Sequence, residues 1–124
     1  MGMRQGSIIA IVDDLQSIRE ALRILLRSVG FTAEAFASAE DFLHSNHLQH
    51  TACLILDLQM PGMSGLELQQ LLAAAKCRIP IIFITAKNDE ESRTRAFQAG
   101  AFEFLPKPFR EDALLHAVRM ALGN

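Results

Sequence analysis

The sequence predicts an α/β fold, doubly wound about a five-stranded parallel sheet, from two observations. The runs Ile8-Ile9-Ala10-Ile11-Val12, Cys53-Leu54-Ile55-Leu56 and Ile81-Ile82-Phe83-Ile84 are short and apolar without alternation, as strands buried on both faces are. Between such runs apolar residues recur at helical spacing, so strands and helices alternate along the chain. Five strands and five helices joined by right-handed crossovers form a sandwich. A strand order of 2-1-3-4-5 sets the first and third strands side by side at the switch point, where sheets of this kind bind ligands.

The elements follow in order. The first strand, Ile8 to Val12, runs into Asp13-Asp14. Leu15, Ile18, Leu22, Leu25, Leu26 and Val29 then mark a helix with one apolar face, and Gly30 stands where a left-handed C-terminal cap is wanted. Phe31 to Phe36 reads as the second strand, and Ser38 with Asp41 three residues on signals the start of a short helix. The third strand ends at Asp57. Pro61-Gly62-Met63-Ser64-Gly65 reads as a loop by its breakers, followed by a helix carrying Leu66, Leu68, Leu71 and Leu72. Pro80 opens the fourth strand, which ends at Thr85. Asn88 with Glu91 is expected to cap the fourth helix, which stops near Gly100. Phe102 to Leu105 is the fifth strand, and Pro108 is expected to open the last helix, with Leu114, Leu115 and Val118 on its apolar face.

Length and composition narrow the function. A chain of 124 residues is read as one domain, residues 1-124, with no internal repeat. A formal net charge of −2 leaves no basic footprint for nucleic acid, so this domain alone is not expected to bind DNA. Cys53 and Cys77 form neither a disulfide framework nor a metal-ligand spacing and read as reduced thiols. The first apolar run is too short for a signal peptide, and no segment approaches membrane-spanning length, so a cytoplasmic location and no membrane partner are expected. His44, His47 and His50 recur every third residue without an acid or cysteine beside them, and read as a polar helix end and loop. The row Arg19, Arg23, Arg27 on the first helix reads as a solvated face or as part of a docking surface.

The acids at the strand ends carry the chemistry. Asp13, Asp14 and Asp57 converge at the switch point, and Lys107 follows the fifth strand into the same crevice. Three clustered carboxylates stay ionised together only with positive charge among them, and hard oxygen donors suit Mg²⁺ better than zinc or copper. Such an ion also bridges to phosphoryl oxygens, and a carboxylate is a competent nucleophile toward phosphorus. Lys107 adds a second point charge, and the Thr85 hydroxyl can donate to a phosphoryl oxygen.

Ile11-Val12-Asp13-Asp14, Leu56-Asp57-Leu58-Gln59-Met60-Pro61-Gly62-Met63-Ser64-Gly65, Ile84-Thr85-Ala86 and Leu105-Pro106-Lys107-Pro108-Phe109 together resemble the receiver domain of two-component response regulators. Within that family, Gly30-Phe31, the run Pro80 to Thr85, Gly100-Ala101 and Phe104-Leu105 look most like the receivers of FixJ-type transcriptional regulators.

The resemblance implies a flavodoxin-like fold and a phospho-acceptor switch. Asp57 would take a phosphoryl group from a sensor histidine kinase. Asp13 and Asp14 with Asp57 would hold Mg²⁺, joined by the main-chain carbonyl of Gln59. Lys107 would pair with the phosphoryl group, Thr85 would swing toward it and Phe104 would move inward behind it. The Lys107-Pro108 bond would be cis. The fourth helix, fifth strand and fifth helix would form the output surface and the face of a phosphorylation-dependent homodimer. DNA would be reached only through an output domain outside this chain, the alternative being a stand-alone receiver. Beyond its own phosphorylation and dephosphorylation no enzyme activity is expected. An aspartate-based, Mg²⁺-dependent phosphohydrolase shares the nucleophile, threonine and lysine, but such enzymes usually place an acid two residues after the nucleophile, where this chain has Gln59.

Overall fold

The computed structural model describes residues 8–86 and 90–123. Its strands are β1 (Ile8–Val12), β2 (Thr32–Phe36), β3 (Thr51–Asp57), β4 (Ile81–Thr85) and β5 (Glu103–Pro106). Its α-helices are α1 (Gln16–Ser28), α2 (Ala39–His44), α3 (Gly65–Ala74), α4 (Glu90–Gln98) and α5 (Glu111–Ala121), with a 3₁₀ turn at Leu48–His50. All strand pairings are parallel, in the order β2-β1-β3-β4-β5. The expected topology is therefore the observed one.

Burial on both faces explains the unbroken apolar strands. Ala10, Val12, Leu54, Leu56 and Phe83 pack into one core layer with α2 and α3 residues such as Phe42, Leu68 and Leu72. Their chain neighbours Ile9, Ile11, Cys53, Ile55, Ile82 and Ile84 point the other way, onto Leu22 and Leu26 of α1 and Leu114 and Val118 of α5. Alternate residues of one strand thus serve opposite layers, and a polar residue on either would be buried. Cys53 illustrates the environment, its thiol pushed up to about 12 chiefly by burial.

The helix ends follow local rules. Ser38 accepts the Asp41 N–H at 3.0 Å, as its spacing indicates. Gly30 and Gly100 take φ of 97° and 100° just beyond α1 and α4. The Gly30 and Phe31 N–H groups donate to Arg27 and Leu26 carbonyls, closing the helix with the paired bonds of a Schellman cap. Four boundaries differ from expectation, the slightest being β2, which begins at Thr32 rather than Phe31. Gly65 is inside α3 rather than in the preceding loop, because Ser64 accepts the Glu67 N–H at 3.1 Å while Glu67 accepts the Ser64 N–H at 2.8 Å. Pro108 does not open α5. It lies in a loop after a cis Lys107-Pro108 bond, and the helix begins at Glu111. β5 is shifted by one residue, to Glu103–Pro106. The expected Asn88 cap lies outside the described residues.

Candidate functional site

Each acid sits where an apolar strand stops. The chain leaves β1 through Asp13, which is wholly buried at 0% exposure and still pairs with the sheet through its N–H to Phe36 O at 3.2 Å. Its Oδ1 accepts the Leu15 N–H at 2.9 Å, and its carbonyl accepts Arg19 Nη1 at 2.8 Å. Side chain and main chain of the acid are thereby tied to the start of α1. Arg19 consequently does more than face solvent, as does Arg27, whose Nη2 donates to Ala33 O at 3.1 Å. Asp14 is exposed beside the buried Asp13.

Asp57 ends β3 and is 5% exposed, with its Oδ1 3.4 Å from the Gln59 N–H. Thr85 ends β4 and is buried. Its carbonyl accepts the Lys107 N–H at 2.8 Å, which fixes the turn out of β5 and aims the lysine at the acids. Lys107 Nζ stands 2.8 Å from Asp13 Oδ2 and 3.5 Å from Asp57 Oδ2. Phe104 lies inward, 7% exposed, between the rings of Phe83 and Phe97 at 6.1 and 6.4 Å.

Burial raises the Asp57 carboxyl to about 6, and the negative charge of Asp13 adds to the rise, while Lys107 and the Gln59 N–H oppose it. A buried carboxyl titrating near neutrality in a cleft is the pattern of a functional group.

One carboxylate oxygen from each of Asp13, Asp14 and Asp57 lies within 4.8 Å of the others. Asp13 Oδ2 is buried, and the Lys107 ammonium at 2.8 Å is its counter-charge. Three clustered carboxylates against one ammonium leave net negative charge and hard oxygen donors that suit a divalent cation. The residues present fit Mg²⁺. The histidine series forms no such cluster among the described residues, and His47 packs its ring on Phe36 at 6.0 Å.

Residues 9–119 match the response regulator receiver domain. The chain belongs to that family. Over 118 residues the receiver is 46% identical to the response regulator protein TodT of Pseudomonas putida, covering 95% of this chain and 52% of the relative. It is 36% identical over 122 residues to the transcriptional regulatory protein FixJ of Azorhizobium caulinodans, covering 98% of this chain and 58% of that one. Among solved structures, the response regulator StyR superposes with a TM-score of 0.87 at 52% identity, over 94% of this chain and 59% of the other. The receiver spans about half the length of the curated relatives it matches. Both the receiver resemblance and its FixJ-like branch are thus borne out. Receiver domains bind Mg²⁺ at an acidic pocket and are generally partnered by a histidine kinase, and those of transcriptional regulators are generally not enzymes. No described helix is long and apolar enough to cross a membrane.

The site also contains residues that sequence reasoning passed over. Glu40 of α2 reaches across to accept the Met63 N–H at 3.1 Å, bracing the loop after β3. No periodicity signals a contact between residues 23 apart. The Ser64–Glu67 cap, by contrast, has a readable spacing.

Proposed function

We propose that this receiver accepts a phosphoryl group on Asp57 from a sensor histidine kinase and transmits the change to an output. The observation carrying this reading is the buried Asp57 carboxylate set 3.5 Å from Lys107 Nζ and clustered with the Asp13 and Asp14 carboxylates. Asp13, Asp14, Asp57 and the Gln59 main-chain carbonyl would hold Mg²⁺. When bound, the ion supplies charge neutralisation to the acids and to the incoming phosphoryl oxygens.

Asp57 attacks phosphorus through a carboxylate oxygen. As that oxygen–phosphorus bond forms, the phosphorus–nitrogen bond of a phosphohistidine breaks, and the imidazole leaves with the electron pair and takes up a proton. Lys107 meets a phosphoryl oxygen with its ammonium, already held over the site by Asp13. The added group carries about −1.5 to −2 charges, which draw the Thr85 hydroxyl. Phe104 would move inward with this step from an outward position; in this structure its ring already lies inward. The switch then repacks α4, β5 and α5, the face through which two receivers would pair.

The likeness to TodT and FixJ supports a transcriptional output, with DNA reached through a separate domain and the kinase met in the cytoplasm. Catalysis is limited to the receiver's own phosphorylation and dephosphorylation. A phosphohydrolase lacks its acid, since Gln59 stands two residues after Asp57.

Intact mass after treatment with acetyl phosphate tests the reading. One phosphoryl adduct is expected with Mg²⁺, and none with EDTA or in Asp57→Ala. Equal labelling of Asp57→Ala would overturn the assignment, and so would a wild-type chain that neither gains the adduct nor binds beryllofluoride.

A further inference from the structure

The three acids of the cation site are held very unequally. Asp13 is fixed on every side: its N–H donates to Phe36 O at 3.2 Å, its Oδ1 accepts the Leu15 N–H at 2.9 Å and its Oδ2 faces Lys107 Nζ at 2.8 Å. Asp57 ends β3, which β1 and β4 pair on either side, and it too faces Lys107, at 3.5 Å. Asp14 is exposed, and its carboxylate has neither a hydrogen bond nor an ion pair among the described residues. It nonetheless brings an oxygen within 4.8 Å of the other two carboxylates. An exposed acid without a partner is pushed away by like charge, so its direction has to come from the main chain.

One side chain holds that main chain. Arg19, half-buried on α1, donates from Nη1 to the Asp13 carbonyl at 2.8 Å. A peptide unit is planar, so fixing that oxygen together with Asp13 fixes the nitrogen and Cα of Asp14. The guanidinium is spent on a neutral oxygen and makes no ion pair with an acid among the described residues. Charge pairing therefore does not account for its placement. Arg27 makes the same kind of contact away from the acids: further along α1, its Nη2 donates to Ala33 O of β2 at 3.1 Å.

We propose that Arg19 is a positioning residue of the cation site, setting through the Asp13–Asp14 peptide the direction from which the Asp14 carboxylate meets the ion. The inference rests on the Mg²⁺ site of the proposed function but not on phosphoryl transfer, and its test needs none. It carries a distinctive sign. A cation deleted beside a metal site relieves repulsion, so loss of charge alone should tighten Mg²⁺. Loss of a positioning bond should weaken it, and outer partners of metal ligands are typically worth about ten- to a hundredfold in affinity.

Mg²⁺ is titrated into the ¹⁵N-labelled chain at constant ionic strength while amide shifts are followed by NMR. Arg19→Met, which keeps the apolar stem and suits a helix, is expected to weaken Mg²⁺ by roughly tenfold. Arg19→Lys, which keeps the charge and one donor, is expected to stay within about threefold of the wild type. Arg27→Met is expected to lose comparable stability against urea and to leave Mg²⁺ affinity unchanged. Without metal, ¹⁵N relaxation is expected to show the Asp14 amide losing order in Arg19→Met and keeping it in Arg27→Met. Unchanged or tighter Mg²⁺ binding by Arg19→Met would overturn the proposal. So would equal weakening by Arg27→Met, an Arg19→Lys chain that binds as weakly as Arg19→Met, or an Asp14 amide in Arg19→Met as ordered as in the wild type. A wild-type chain that binds no Mg²⁺ would instead remove the cation site itself, and the proposal with it.

Discussion

Gly65, the first residue of α3, lies directly against the main-chain carbonyl of Asp57. A Cβ on Gly65 would collide with that oxygen and stand 3.0 Å from Leu58 Cα. The Gly65 N–H also donates to Leu58 O at 2.9 Å, so helix and strand end are held together here by backbone alone. Neither obstacle is a flexible side-chain tip. Gly65→Ala must therefore move the backbone that carries Asp57. The expected cost is about 1–3 kcal/mol in urea denaturation, with a matching loss of beryllofluoride affinity. Wild-type affinity in a destabilised variant would show that the strand end yields without disturbing the site.

The raised Asp57 pKa predicts an inverted pH dependence for the metal-free chain. The folded state holds the Asp57 proton to about 6, against 3.8 ordinarily. The stabilisation is therefore fully present below 3.8 and is lost as pH rises through about 6. In EDTA, Asp57→Asn is expected to be more stable than wild type at pH 7.5, by about 1–3 kcal/mol, and equal to it near pH 4. Added Mg²⁺ should narrow or reverse the gap, because the ion favours the ionised carboxylate. Urea midpoints across this range provide the check, and a wild type at least as stable as the variant at pH 7.5 without metal would refute the burial argument.

Much of this site was legible because its acids end strands that are apolar on both faces. Ile8 to Val12 and Cys53 to Leu56 have no alternation, so the first polar residue after each marks the sheet edge and the crevice beyond it. Helix starts were less legible where one residue serves two purposes. Gly65 reads as a loop breaker, yet the Ser64–Glu67 cap starts the helix there, and the residue is glycine because only a hydrogen atom fits against Asp57 O. Pro108 suits a first helical turn by propensity, but the sheet-edge turn that delivers Lys107 claims it first. Contacts such as Arg19 to Asp13 O and Glu40 to Met63 N–H depend on how elements cross in space, and no local pattern announces them.

Lys107 is the counter-charge for two buried carboxylates, and its removal should be felt most without metal. Its Nζ is 2.8 Å from Asp13 Oδ2 and 3.5 Å from Asp57 Oδ2, with little of the side chain exposed. Lys107→Met keeps the apolar stem and deletes the ammonium. In EDTA at pH 7.5 a loss of about 2–4 kcal/mol is expected, since the partners remain buried and charged. Mg²⁺ should then raise the melting temperature of the variant by more than that of the wild type, because the ion takes over the missing charge. Thermal melts with and without Mg²⁺ decide this. An equal shift in both chains would mean that lysine and metal do not share a role.

Glu40 is expected to act on the site without touching its acids. Its Oε2 accepts the Met63 N–H at 3.1 Å, and Gly62, at φ of 75°, lies close enough that a Cβ there would meet the same oxygen at 3.0 Å. The carboxylate thus holds the loop that leads from Gln59 to α3, and the start of α2 is an electrostatically favourable place for it. Glu40→Ala frees the loop, and Glu40→Gln retains an oxygen that can accept the same N–H. Alanine should cost about 1 kcal/mol in stability and weaken Mg²⁺ binding several-fold by loosening the Gln59 carbonyl, whereas glutamine should stay near wild type in both. Titration calorimetry with Mg²⁺ separates the cases. Weakening by alanine and glutamine alike would assign the effect to charge, and no weakening by alanine would show that the loop is held without Glu40.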